Sequence, residues 1–286
     1  MPVTDVERGL VARYLERVLS RSDLPLRTAR HIVHWLHERA DFLALPLAVP
    51  LTEILGTYYV PGSAKQFEAE FDRQRHGLVQ MLDKAATETQ RPEPLATNIE
   101  RLIDALDLPA DALRIIGLIA CYNRYDLVMY LANTVAETTR PLPRAIAHMT
   151  GLSARFVEEM LAPGGELPAS GLLQIVEGDM LSGHGGRYVI PFRVNAGLDQ
   201  SYRDFAHMRN ALLGDPLRSG MGASDYEHVA ADRDLMIGVL RGAAATNEAG
   251  VNILLYGPPG SGKTELAKVA AAEAGLALFG AGEDNP

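Results

Sequence analysis

"GPPGSGKT", residues 257–264, decides how this chain is read, and it stands inside the longer run "VNILLYGPPGSGKTELAKVAAAEAG" (251–275). The spacing G-x-x-x-x-G-K-T describes a phosphate-binding loop when a strand precedes it and a helix follows. Both are expected here. Val251 to Tyr256 is an apolar run that reads as a buried strand, and "TELAKVAAAEAG" reads as a helix ended by Gly275. Each position has a chemical reason. Backbone N–H groups of about Gly260 to Thr264 must point at phosphate oxygens through tight bends, which calls for residues without bulk, and the helix N-terminus adds a favourable dipole. Lys263 then reaches the β- and γ-phosphates, and the Thr264 hydroxyl goes to Mg²⁺. Pro258 and Pro259 stiffen a part of the loop that need not donate. The candidate phosphate-binding set is therefore Gly257, Pro258, Pro259, Gly260, Ser261, Gly262, Lys263, Thr264 and Glu265, with Thr264 as the metal ligand. A Gly-rich turn of no consequence is the alternative, and the flanking elements weigh against it.

Taken with "SDYEHVAADRDLMIGVLRGA" (224–243) upstream, the motif resembles the Walker A region of the AAA+ ATPase superfamily, and within it the AAA branch proper. The resemblance covers residues from about 225 to 286. It implies an α/β P-loop NTPase domain, ATP and Mg²⁺ as ligands, and a homo-oligomeric ring. In that branch a short backbone stretch before the first helix cups the adenine ring; the matching residues are His228, Val229 and Ala230, with Ala230 close to where the family usually has glycine. The family also has a second carboxylate motif, four apolar residues followed by Asp-Glu, then a sensor residue, an arginine finger and a helical lid. No such Asp-Glu run occurs in this sequence. The chain is accordingly expected to be the N-terminal piece of a longer ATPase, inactive by itself and with its catalytic residues elsewhere. A strand of this kind normally lies between two others, so "VNILLY" without them is expected to expose apolar surface. The tail is then expected to be mobile, or docked irregularly on the helical front.

Upstream the pattern is helical. Val6, Leu10, Tyr14 and Val18 share helical spacing over 5–20, and a second helix is expected over about 28–43, ended by Pro46 and Pro50. Ser63 and Gln66 form a capping-box spacing before Phe67, Phe71, Leu78, Leu82 and Ala85, and Thr97 with Glu100 repeats it before "IERLIDAL". "LPADALRIIGLIACYNRYDLVMYLANTVAE" continues as one or two apolar helices. His31, His34 and His37 are spaced by three, but no carboxylate completes a ligand set, so amphipathic packing is the better reading than a metal site. Trp35 reads as a core anchor.

"IAHMTGLSARFVEEML" (146–161) places Ala147, Gly151 and Val157 at the small, turn and apolar positions of a helix-turn-helix unit. "GLLQIV" and "RYVIPFRV" follow as short β-rich runs around a Gly-rich loop, so residues 142–196 read as a winged-helix-like module. Its second helix carries Ser153, Arg155, Glu158 and Glu159, and the wing adds only His184 and Arg187. Two acids against one base make a poor surface for duplex phosphates, which favours a structural or protein-contacting role over DNA.

The expected fold is mostly α with a winged-helix-like α+β module, followed by the truncated start of an α/β P-loop NTPase domain. The expected division is a helical N-terminal domain (1–141), the winged-helix-like domain (142–196), a linker (197–224) and the P-loop region (225–286). A formal charge of -9 over 286 residues argues against broad polyanion or membrane-surface binding, and one cysteine, Cys121, excludes an internal disulfide framework. With no export signal and no membrane-length apolar run, the expected location is cytoplasmic. Three functions stay open: an AAA+ ATPase that remodels a protein partner, an ATP-gated regulator whose winged helix contacts DNA, and a binding module without enzymatic activity.

Overall fold

The computed structural model describes residues 4–39, 43, 64–87, 93–176, 187–246, 248 and 250–280. The chain divides into two compact units, Met1–Ser201 and Tyr202–Pro286.

In the first unit α1 (Asp5–Leu19) starts at Thr4, whose hydroxyl oxygen accepts from the Glu7 N–H at 3.2 Å. Its inner face, Val11, Leu15 and Val18, is fully buried. Helix α2 (Leu26–Glu38) begins after Pro25 and packs on the helix Asp126–Thr138; Thr28 meets Thr139 there in a buried hydroxyl pair at 3.3 Å. Trp35 is buried as expected, with the Arg39 guanidinium 5.0 Å from its ring centroid. Helix α3 (Ala64–Thr87) packs along α1, and the Arg13 guanidinium donates to the Ala86 carbonyl at 3.1 Å. The capping residue expected at Ser63 lies outside the described residues, as do the side chains of Gln66, Phe67 and Phe71.

Helix α4 (Leu95–Ala105) corrects the second capping box. It starts two residues before Thr97, with Pro94 at the cap position, and the Thr97 hydroxyl donates to the Glu93 carboxylate at 2.6 Å. A proline there already has a helix-compatible φ and no N–H to satisfy, so the helix begins earlier than the polar spacing implies. The long apolar segment resolves into two helices, α5 (Ala112–Tyr122) and α6 (Asp126–Thr138). Glu7 of α1 caps α6: its carboxylate, buried, accepts from the Leu127 N–H at 2.8 Å.

Helices α7 (Leu142–Thr150) and α8 (Ala154–Leu161) are joined by a tight turn in which Gly151 has φ of 71°. Ser153 caps α8 by accepting from the Phe156 N–H at 3.2 Å, and Ala147 and Val157 are fully buried in the contact between the two helices. The short helix α9 (Glu166–Ala169) leads to β1 (Gln174–Val176), which pairs antiparallel with β2 (Arg187–Val189), Ile175 opposite Tyr188. The β-rich run expected through Val194 stops at Val189, because Pro191 caps α10 (Phe192–Gly197). His184 lies outside the described residues, as does the side chain of Arg187. The Arg124 guanidinium then fixes the end of this unit by donating to Ala120 O, to Asn195 Oδ1 and O, and to Asp199.

The second unit contains, within the stretch expected to be a linker, helix α11 (Phe205–Leu213), capped by Asp204 accepting from the His207 N–H at 2.8 Å. A 3-10 helix (Ala223–Val229) runs into α12 (Ala230–Thr246), and α13 (Lys263–Glu273) packs on α12. Met236, Ile237 and Ala270 form the buried centre, with Leu240, Leu255 and Leu266 against them. The buried strand expected at Val251–Tyr256 is not formed: the run makes no ladder, and Leu254 and Tyr256 are 86% and 90% exposed. The physical reason is that no described strand lies beside it, so only Leu255 finds a hydrophobic neighbourhood.

Candidate functional site: a glycine loop at the start of α13

The loop Gly257–Gly262 is shaped by its glycines. Gly260 and Gly262 have φ of 79° and 80°, a left-handed conformation that other residues adopt only with strain. Gly262 is the residue from which α13 starts, and its carbonyl accepts the first helical bond from Leu266 at 2.8 Å. The N–H groups of the first helical turn, Lys263 to Glu265, therefore project from the helix end, where the dipole is positive. Space is open at Gly260, where an added Cβ would meet nothing within 4 Å.

Lys263 turns back over this loop. Its ammonium donates to Gly257 O at 3.0 Å and Pro258 O at 2.8 Å, and lies 3.4 Å from Ser261 Oγ. Thr264 is exposed on the first turn of α13. Glu265 faces away from the loop centre: its carboxylate accepts from Lys268 Nζ at 2.6 Å and from Ser219 Oγ at 2.7 Å. Those two bonds, Lys268 first and Ser219 second, hold its carboxyl below the usual carboxylate range.

His228 and Val229 end the 3-10 helix, and Ala230 begins α12. Tyr226, two residues earlier and buried, connects them to the loop: its hydroxyl lies 3.4 Å from Gly262 O and 3.6 Å from Met221 Sδ, and its ring stacks on His228 at 6.1 Å. The stretch expected to hold a base and the loop expected to hold phosphates are thus brought together. Neither Tyr226 nor Ser219 stood out in the sequence. Tyr226 follows a mixed run of small, polar and apolar residues, and Ser219 stands beside Gly220, so no periodicity marks either one.

The donor set fits a polyphosphate: two left-handed glycines, open space beside one of them, a helix N-terminus and a lysine ammonium within reach. Residues 253–281 match the model of the AAA family, the ATPases associated with various cellular activities. The match lies over the candidate loop and supports AAA+ superfamily membership; that family implies ATP and usually Mg²⁺ as ligands. No curated protein and no solved structure gives a significant match to the chain.

Other candidates are not drawn into a site. Among the described residues no group of three His, Cys, Asp or Glu could hold a metal. His31 Nδ1 is paired with Arg27 O at 2.9 Å and His34 with Glu38 at 3.2 Å, while the His37 side chain is not among those the structure describes. On α8, Arg155 pairs with Glu159 at 2.8 Å and Glu158 faces Arg144 at 3.7 Å. Cys121 is buried, and burial pushes its thiol up to about 11. Among the described residues no helix is long and apolar enough to cross a membrane.

Proposed function

We propose that this chain carries the nucleotide-binding loop of an AAA-type ATPase that couples ATP hydrolysis, in a homo-oligomeric ring, to the remodelling of a protein partner. Gly257 to Glu265 hold the phosphates of Mg-ATP: the N–H groups of the first turn of α13 and the Lys263 ammonium contact oxygens, and the Thr264 hydroxyl ligates Mg²⁺. His228, Val229 and Ala230 lie along the base. The single observation that carries this reading is the Gly260–Gly262 turn feeding α13, with Lys263 folded over it, inside the stretch that matches the AAA family.

Bound Mg²⁺ would supply charge neutralisation of the β- and γ-phosphates. What these residues themselves do is bind and orient. The glycines let the backbone approach, the helix end favours negative charge, and Lys263 exchanges its carbonyl partners for phosphate oxygens. Because Val251–Tyr256 has no ladder to fix it, the loop is held mainly through Leu255 and α13, and binding is expected to be weak.

Residues 1–196 are assigned to partner contact, through a helical region and the winged-helix-like module at 142–196. The paired charges on α8 favour a protein partner over duplex DNA, since a phosphate-binding face needs cations that are not neutralised by neighbouring acids. Duplex titration of the whole chain at physiological salt tests this: no binding is expected, and tight binding that falls steeply with salt would replace this reading with an ATP-gated DNA regulator.

A further inference from the structure

The segment 219–230 is cross-braced by its own hydrogen bonds. Met221 N–H donates to Ser219 Oγ at 3.0 Å, and Gly222 N–H donates to Asp225 Oδ2 at 2.8 Å. Arg233, buried on α12, donates to Ala223 O at 2.6 Å and to Glu227 at 2.9 Å. Two clamps then tie this segment to the start of α13. Ser219 Oγ accepts from its own turn, so its proton goes to Glu265 Oε2, whose partner oxygen is occupied by Lys268. Tyr226 lies with its hydroxyl 3.4 Å from Gly262 O, and a Cβ at Gly262 would come within 3.5 Å of that hydroxyl, so backbone and ring are in close contact. The clamped positions, Gly262 and Glu265, flank the two residues assigned to phosphate and metal, Lys263 and Thr264.

We infer that Ser219 and Tyr226 are positioning residues that hold the 226–230 segment at a fixed offset from the phosphate loop, so that a nucleoside triphosphate is bound in preference to bare polyphosphate. The inference rests on the nucleotide-site reading above and goes beyond it by naming what selects the base. Phosphate contacts come from α13 and its loop alone. Base contacts come from the other side of the two clamps. Cutting a clamp leaves the first set intact and lets the second drift.

The test uses the 286-residue chain with Ser219→Ala, Tyr226→Phe and, as the conservative variant, Ser219→Thr. Affinities for Mg-ATP and for inorganic tripolyphosphate are read by NMR titration, and amide hydrogen exchange is read without ligand. Ser219→Ala and Tyr226→Phe are expected to weaken ATP about five- to tenfold, the size of one lost hydrogen bond, with tripolyphosphate changed less than about twofold. Ser219→Thr, which keeps the hydroxyl, restores ATP affinity. Exchange without ligand quickens in 219–230 and 257–266 together. Parallel loss of both ligands, or faster exchange only around the substituted residue, overturns the positioning role. A wild-type chain that binds neither ligand instead overturns the nucleotide-site reading, and the selectivity with it, while coupled exchange would still show the two clamps.

Discussion

The Lys263 ammonium, on the first residue of α13, donates to the Pro258 carbonyl at 2.8 Å, back across the glycine loop. With Gly257 O at 3.0 Å as a second acceptor, one cation ties the first half of the loop to the first residue of α13. Lys263 therefore shapes its own loop as well as offering charge. Lys263→Ala should make the amides of Gly257, Gly260, Ser261 and Gly262 exchange faster without any nucleotide, by about fivefold for a hydrogen bond of ordinary strength. Unchanged exchange there would show that the glycines alone set the loop.

Thr264 is expected to act through the metal. Thr264→Ala should weaken ATP binding when Mg²⁺ is present and leave metal-free binding nearly unchanged, because only the hydroxyl is lost. Titration with and without Mg²⁺ separates the cases; an equal defect in both would remove Thr264 from that role.

Glu7 should be a stability residue. Its buried carboxylate accepts from Leu127 N–H at 2.8 Å at the start of α6, where the helix dipole favours negative charge. Glu7→Ala should destabilise the first unit by about 1–3 kcal/mol, since a buried helix-end donor is left unmet. Thermal unfolding of the chain checks it, and an unchanged midpoint would mean that water replaces the carboxylate.

His148 gives a pH dependence. It is buried on α7 with Nδ1 unpartnered, and its imidazole is held below the usual histidine range by burial first and by the Arg21 guanidinium second; Asp23 opposes and Arg144 adds to the lowering. The folded form then binds fewer protons than the unfolded chain, so stability is full above about pH 6.5 and is lost as pH falls below it. His148→Gln should flatten the stability profile between about pH 5 and 7 relative to wild type. Two profiles of the same shape would contradict this.

These cases separate what a sequence carries from what it does not. The shape of the loop was legible because it is local: glycines, lysine and the start of a helix are adjacent in the chain. The α7–α8 turn was legible for the same reason, since Ala147, Gly151 and Val157 meet within one short motif. Distant partners were not. Glu7 meets Leu127, Ser219 meets Glu265, and Arg124 meets Asp199, all across long separations that no local pattern encodes. Thr97 shows the opposite error, a good local signal overridden by Pro94 just before it. Val251–Tyr256 has strand composition, but a strand needs a neighbour to pair with, and composition does not provide one.

Lys263 is proposed above to belong to a site for nucleotide phosphates. Calorimetric titration of the 286-residue chain with Mg-ATP, wild type against Lys263→Ala, tests it most directly. Weak saturable binding is expected for wild type, on the order of millimolar, about 4 kcal/mol. A tenfold or greater loss is expected in the variant, because a charge-assisted contact to phosphate is worth about 1.5 to 3 kcal/mol. Equal affinity in the two proteins would contradict it.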